Sequence, residues 1–265
     1  MNKLPSFDIN DYRELLIDFI KDGRHFYPIS SMGSMPDGKC IFLRHDVDLF
    51  LDGWLAMPQC ENELGISATY YICLTQHYNI FHNENRSFLR QLIEMGHDIG
   101  LHYDVTTYPD DETKMSKHLE FEIGVLSAIV GKPIKTIVMH QPFKGNIDPF
   151  QSHEDYVNPN NPVYRNNLRY ISDSCRAWRD EKLIECFGVN QPRLLMINLH
   201  PELWLEGRIN NRIEYLENVL IKRSHISQKR YLDNTVRNIW LTHEAPKMHD
   251  LRAAQKEEPF SDQGR

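Results

Sequence analysis

Residues 40–48 read CIFLRHDVD, an apolar run that turns abruptly polar at Arg44 and ends on two aspartates, Asp46 and Asp48. The apolar half predicts a buried strand, and the polar half predicts that its end enters a pocket. Four other stretches share the habit: GHDIGLHYD (Gly96 to Asp104), TIVMHQP (Thr136 to Pro142), RYISDS (Arg169 to Ser174) and LLMINLHP (Leu194 to Pro201). In parallel α/β folds the carboxyl ends of the strands form the ligand site.

The text between these stretches is helical in pattern. Asp8 opens a segment with Tyr12, Leu15, Leu16, Phe19 and Ile20 at helical spacing and Gly23 as its stop. A helix ends at Gly65, with a kink or break expected at Pro58. ATYYICL (Ala68 to Leu74) is rich in strand formers. Arg86 to Met95 and Lys114 to Val130 are amphipathic helices, and a long polar helix is expected from Gly207 to Trp240. This alternation predicts a parallel sheet with helices outside it. The stretch from Gly145 to Asn167, rich in Asn and Pro, is longer than a connector needs and is expected to form a functional wall or lid. A single domain over residues 1–244 is expected, with 245–265 as a solvated tail.

A net charge of −7 argues against a nucleic-acid partner. The five cysteines are scattered, with no CxxC pair, which fits neither a disulfide framework nor a cysteine zinc site and suits a reducing compartment. The first residues lack an apolar signal core, and no apolar run reaches the length of a membrane span. A cytoplasmic location is the expectation.

Alternate residues of a strand face the same way. Arg44, Asp46 and Asp48 therefore share one side. Two carboxylates there suit a metal ligand and a proton acceptor, or else a salt bridge with Arg44. By the same parity His102 and Asp104 lie opposite His97, so His102 is the better ligand, Asp104 a second ligand or orienter, and His97 structural. His140 ends its strand as a ligand or as a satisfied buried group. Asp173 and His200, from separate strands, suit a pair in which the carboxylate fixes the imidazole; helix capping is the competing reading for Asp173. Trp178 and Trp204 either wall a pocket or pack in the core.

Taken in order, LRHDVD, GHDIGLHYD, MHQPF, SDSCRAW and LHPELW resemble the motifs of the polysaccharide deacetylase (NodB-homology, carbohydrate esterase family 4) superfamily, over roughly Phe42 to Trp204. The RHDVD spelling resembles a branch linked to surface-polysaccharide synthesis. The resemblance implies an α/β fold, a single irregular (β/α) barrel of about seven parallel strands. It also implies a hydrolase that removes an acyl group, N-acetyl first, from a sugar or related small amide. The implied cofactor is a divalent ion, zinc before cobalt, nickel or iron. The implied roles are Asp46 as base, Asp48 and His102 as ligands, His200 as acid and Asp173 as its tuner, with the roles of Asp46 and Asp48 open to exchange. The motif's usual second histidine falls on Thr106, so Asp104 or His140 has to replace it, and imidazole favours His140. His140 itself stands where an arginine is usual, and Arg44 is the candidate to compensate. Inside a cell the substrate would be a carbohydrate or nucleotide-linked sugar. The competing readings are a degenerate member that only binds a glycan or nucleotide sugar, an O-acetyl esterase, and a metal-free glycosidase, which needs two carboxylates about 5 Å or roughly 6.5–9.5 Å apart.

Overall fold

The structure, a computed structural model, describes residues 4–34, 37–49, 55–140, 148–174, 176–178, 181–187, 191–209, 211–233 and 237. These fall into two compact units, Met1–Arg212 and Ile213–Arg265. The second is described as a π-helical stretch, Leu216–Ile221, running into an α-helix, Lys222–Leu232. The proposed tail, residues 245–265, lies outside the described residues.

The first unit is built on seven parallel strands: β1 (His25–Tyr27), β2 (Cys40–Val47), β3 (Thr69–Ile72), β4 (Asp98–Tyr103), β5 (Ile137–Met139), β6 (Arg169–Ser172) and β7 (Leu194–Leu199). Their order is β5-β4-β3-β2-β7-β6. One edge of β2 carries β7 alone. The other is shared: β1 pairs residues 40–42, and β3 pairs residues 44–47. From β2 the chain steps outward through β3, β4 and β5, then returns on the other side. β2 is thus the point where strand order reverses, and a crevice opens beyond the carboxyl ends at such points.

Val138 of β5 and Tyr170 of β6 come from opposite ends of this path, yet both pack in one cluster with Phe42, Tyr71 and Met196. The sheet therefore curls into a barrel, and no pairing between β5 and β6 closes it among the described residues. The interior is apolar below and polar above, because each inward row ends in the polar residues noted in the sequence.

The outer helices follow their caps. In α1 (Ile9–Lys21) the Asp8 side chain accepts from the Asn10 amide, and Tyr12, Leu15, Leu16 and Phe19 are buried. In α2 (Ala56–Glu63) Pro58 lies in the first turn, where an amide has no intrahelical partner, so it neither kinks nor breaks the helix. Residues 50–54 lie outside the described set. α3 (Asn83–Glu94) and α4 (Glu112–Val130) bracket β4, and Gly131 closes α4 in the left-handed conformation.

Two expectations change. The helix expected from Gly207 starts only in the turn Arg212–Tyr215. The preceding chain is held as a loop because the Arg176 guanidinium donates to the carbonyls of Leu203, Glu206 and Ile209, and each carbonyl so taken is diverted from a helical ladder. β1 is an addition. His25, Phe26 and Tyr27 are too few to carry a periodicity, and pairing with β2 is what makes them a strand.

Behind β2, on the face opposite the aspartates, Glu61 of α2 is fully buried. Its carboxylate accepts from the hydroxyls of Tyr12 and Tyr70, the latter at 2.8 Å, and lies 2.7 Å from His45 Nε2. Burial would raise its pKa, but His45, His97 and the Tyr12 hydroxyl hold it below the ordinary value. His97, the histidine expected to be structural, is buried nearby, with Nε2 3.2 Å from the Pro58 carbonyl and Nδ1 accepting from Ala68 N.

Gly100 of β4 faces the interior at a crowded point. A β-carbon there would lie 2.5 Å from Tyr71 Cε1 and 2.9 Å from Thr136 Cγ2. Gly100→Ala should destabilise the fold by about 1–3 kcal/mol. Equilibrium urea unfolding checks this. Combined with Tyr71→Ala, the cost should be clearly less than additive; effects that sum within about 0.5 kcal/mol would show that the ring is not what Gly100 accommodates.

Candidate active site

The carboxyl ends of β2, β4, β5 and β7 gather Asp46, Asp48, His102, His140 and His200. Asp46 is buried and clamped from its own strand: Arg44 Nε and Nη2 each donate to one carboxylate oxygen at 2.7 Å. The same guanidinium lies over the Tyr71 ring, 5.2 Å from its centre. Asn198 of β7 adds a third donor at 2.9 Å. Burial would raise the Asp46 pKa, but Arg44 and His102 pull it down to about 2, so it is ionised at neutral pH.

Asp48 is treated differently. Its Oδ1 is buried and accepts no hydrogen bond among the described residues. His102 Nε2 and His140 Nδ1 each lie 3.4 Å from it, and those two nitrogens are 3.1 Å apart. Burial would raise the Asp48 pKa, and the two imidazoles hold it well below the carboxylate range. The three atoms form a near-equilateral triangle of donor atoms. A zinc-like ion with bonds of about 2.0–2.1 Å has tetrahedral edges of roughly 3.3–3.4 Å, so the triangle fits such an ion. His102 Nδ1 faces the Val138 carbonyl at 3.1 Å. That contact puts the proton on Nδ1 and leaves Nε2 bare toward the triangle.

His200, just past β7, forms the far wall. Its Nδ1 is 2.7 Å from Asp173 Oδ1, and its Nε2 points inward, 3.8 Å from Asp48 Oδ2. Trp204 Nε1 donates to the other Asp173 oxygen at 2.7 Å, so Trp204 orients the carboxylate that orients the histidine. Burial would lower the His200 pKa, but Asp173 raises it well above the ordinary value. Asp173 thus favours the protonated ring, and Nε2 is the nitrogen that faces the pocket.

The remaining candidates stand apart from the triangle. Asp104 caps the short turn Val105–Thr107, accepting from the amide and hydroxyl of Thr106, and Thr106 is occupied by the same contacts. Trp178, half-buried, donates to the Pro5 carbonyl and stacks on Phe7, with centres 6.1 Å apart. Of the long loop, residues 145–147 lie outside the described set. Its described part pairs Val157 with Thr136 and forms a helical turn, Pro162–Arg165.

No protein-family model matches the chain, and no curated protein sequence does. Several solved structures are similar in fold. One is a family 4 carbohydrate-esterase pseudoenzyme from Bacillus anthracis, at 12% identity and TM-score 0.43, over 69% of this chain and 62% of that one. The chain thus spans about three-fifths of that structure's length. Others are a family 4 acetyl xylan esterase from Clostridium thermocellum bound to cobalt (13%, TM-score 0.41, 71% and 84%) and the peptidoglycan deacetylase of Bacillus subtilis (12%, TM-score 0.39, 77% and 98%). Likenesses of this size decide neither activity nor substrate, which rest on the atoms of the site.

Two site residues were missed in the sequence. Asn198 is the one polar side chain inside the apolar run LLMINL, two residues before His200, and that polarity was its signal. Glu202, inside LHPELW, is buried; burial and the charge of Asp48 push its carboxyl up to about 8.

One equivalent of Co2+ or Zn2+ should bind per chain. His140→Ala should weaken binding by more than about tenfold, whereas Asp104→Ala should bind as the unmodified chain does. Isothermal titration and the visible cobalt spectrum measure both. Unchanged affinity in His140→Ala would remove that residue from the site.

Proposed function

We propose that the chain is a metal-dependent hydrolase that removes an acyl group, N-acetyl foremost, from an amino sugar or a related small amide. The observation that carries this reading is the pairing of an ion-sized donor triangle with an Asp173-backed histidine aimed at it from across the pocket. The motif order in the sequence supports the same chemistry.

Asp48, His102 and His140 would hold a divalent ion, and two nitrogens with one carboxylate oxygen suit zinc or its neighbours. Bound there, such an ion supplies a Lewis acid for the acyl carbonyl and brings a water's pKa toward about 7. Asp46, ionised and fixed by Arg44 and Asn198, accepts the proton as the water oxygen bonds to the acyl carbon. His200 Nε2–H gives its proton to the leaving nitrogen as the carbon–nitrogen bond breaks. Asp173 stabilises the imidazolium beforehand and restores the ring's orientation afterwards. The products are a carboxylic acid and a free amine. General acid action of this kind contributes roughly 10²–10⁴-fold.

Acetate release from N-acetylated mono- and oligosaccharides and nucleotide-linked N-acetyl sugars, using zinc- or cobalt-loaded protein, tests the reading. His200→Ala should lower turnover by about 10²–10⁴-fold with its metal content intact. Asp173→Asn should lower it less. A loaded protein that binds these sugars yet releases no acid from any amide or ester would make it a binding protein, and loss of the ion in His200→Ala would make His200 a ligand.

A further inference from the structure

We propose that Gln76 is the outer partner of His140, setting that ring's tautomer and through it the affinity of the site for a divalent ion. The inference rests on the donor triangle assigned under the proposed function.

The two histidines of the triangle secure their far nitrogens differently. His102 turns Nδ1 to the Val138 carbonyl, which can only accept, so its tautomer is fixed by the backbone. His140 is mounted the other way round and presents Nδ1 to the triangle. For Nδ1 to donate its lone pair to an ion, the ring's proton must sit on Nε2. The group facing Nε2 is no carbonyl of the main chain but the side-chain amide of Gln76, whose nitrogen lies 3.4 Å away in this structure.

An amide carries an acceptor at one end and donors at the other, in nearly the same shape. With its NH2 toward Nε2, Gln76 makes that nitrogen an acceptor and leaves the proton on Nδ1. From there it can be donated across 3.1 Å to the bare Nε2 of His102. With its oxygen toward Nε2, Gln76 stabilises the opposite tautomer, the one whose Nδ1 can take an ion. Glutamine thus satisfies His140 in both arrangements, by a half-turn of the amide.

The turn that carries Gln76 is tied to the same frame as Asp48. The Tyr78 hydroxyl donates to the Val47 carbonyl at 2.9 Å and accepts from the Cys73 amide at 2.8 Å, and Tyr78 is buried. Val47 precedes Asp48 in the chain. Gln76 is therefore held in register with the ligand set.

Zinc affinity of the purified chain, measured by competition with a chromogenic chelator, tests the proposal on Gln76→Leu and Gln76→Glu. Gln76 is only partly buried, so both variants should keep their thermal unfolding midpoint. Loss of an outer partner weakens metal binding by about 10–100-fold, which is the expectation for Gln76→Leu. Gln76→Glu, able only to accept, should bind at least as tightly as the unmodified chain. Its His140 should show the 15N shift pattern of the Nε2–H tautomer. Equal affinity in Gln76→Leu, or equal loss in both variants, overturns the role of Gln76 alone. An unmodified chain that binds no zinc overturns both the ligand set and the inference built on it.

Discussion

A carboxylate taken out of water has to be met by donors or by a cation, and that demand organises both faces of β2. Asp46 is met by Arg44 and Asn198. Glu61, behind the strand, is met by two tyrosine hydroxyls and His45. Asp173 is met by the ring and amide of His200 and by the indole of Trp204. Asp48 Oδ1, equally buried, faces two imidazole nitrogens without a hydrogen bond from either. Of these carboxylate oxygens, Asp48 Oδ1 is the one that stands with two imidazole nitrogens in a triangle that an ion could join.

The two faces of β2 are mechanically one. His45 and Asp46 are consecutive, so the contact between His45 and Glu61 fixes the strand that presents the aspartates. Through Glu61 that strand is joined to α1 by Tyr12 and to β3 by Tyr70. Opening such a network by removing one member costs about 3–5 kcal/mol, because the others are left charged or unpaired inside. A site on so braced a strand keeps its donor atoms in place without help from a substrate, as catalysis by fixed dipoles requires.

The sequence announced the strand ends because apolar runs turning polar are a local pattern, and parity sorted Asp46 and Asp48 from His45, and His102 from His97. It was blind where a partner is set by three-dimensional register. Gln76 sits in a turn with no period, and Glu61 lies on a helix whose pattern does not mark it as buried. Trp178 and Trp204 looked alike; only the fold gives one the Asp173 carboxylate and the other the Pro5 carbonyl. Asp104 had the right parity but stands one step beyond β4, where the chain turns and its side chain caps that turn.

Drawing the third donor from β5 rather than from four residues past His102 changes what the site depends on. A donor on the same turn as its neighbour is placed by local geometry. His140 is placed by sheet register: Val138 pairs with His102, and His140 N reaches the Tyr103 carbonyl at 2.7 Å. A slip of one residue would turn the imidazole to the other face. β5 is only three residues long, so its register needs outside support. That support comes from Thr136, which bridges to Val157 and meets the Tyr71 hydroxyl deep in the barrel. Tyr71 can reach Thr136 because position 100 carries no side chain. The glycine in the core and the histidine at the mouth are therefore parts of one arrangement, and any ion held at the triangle would depend on the packing below it.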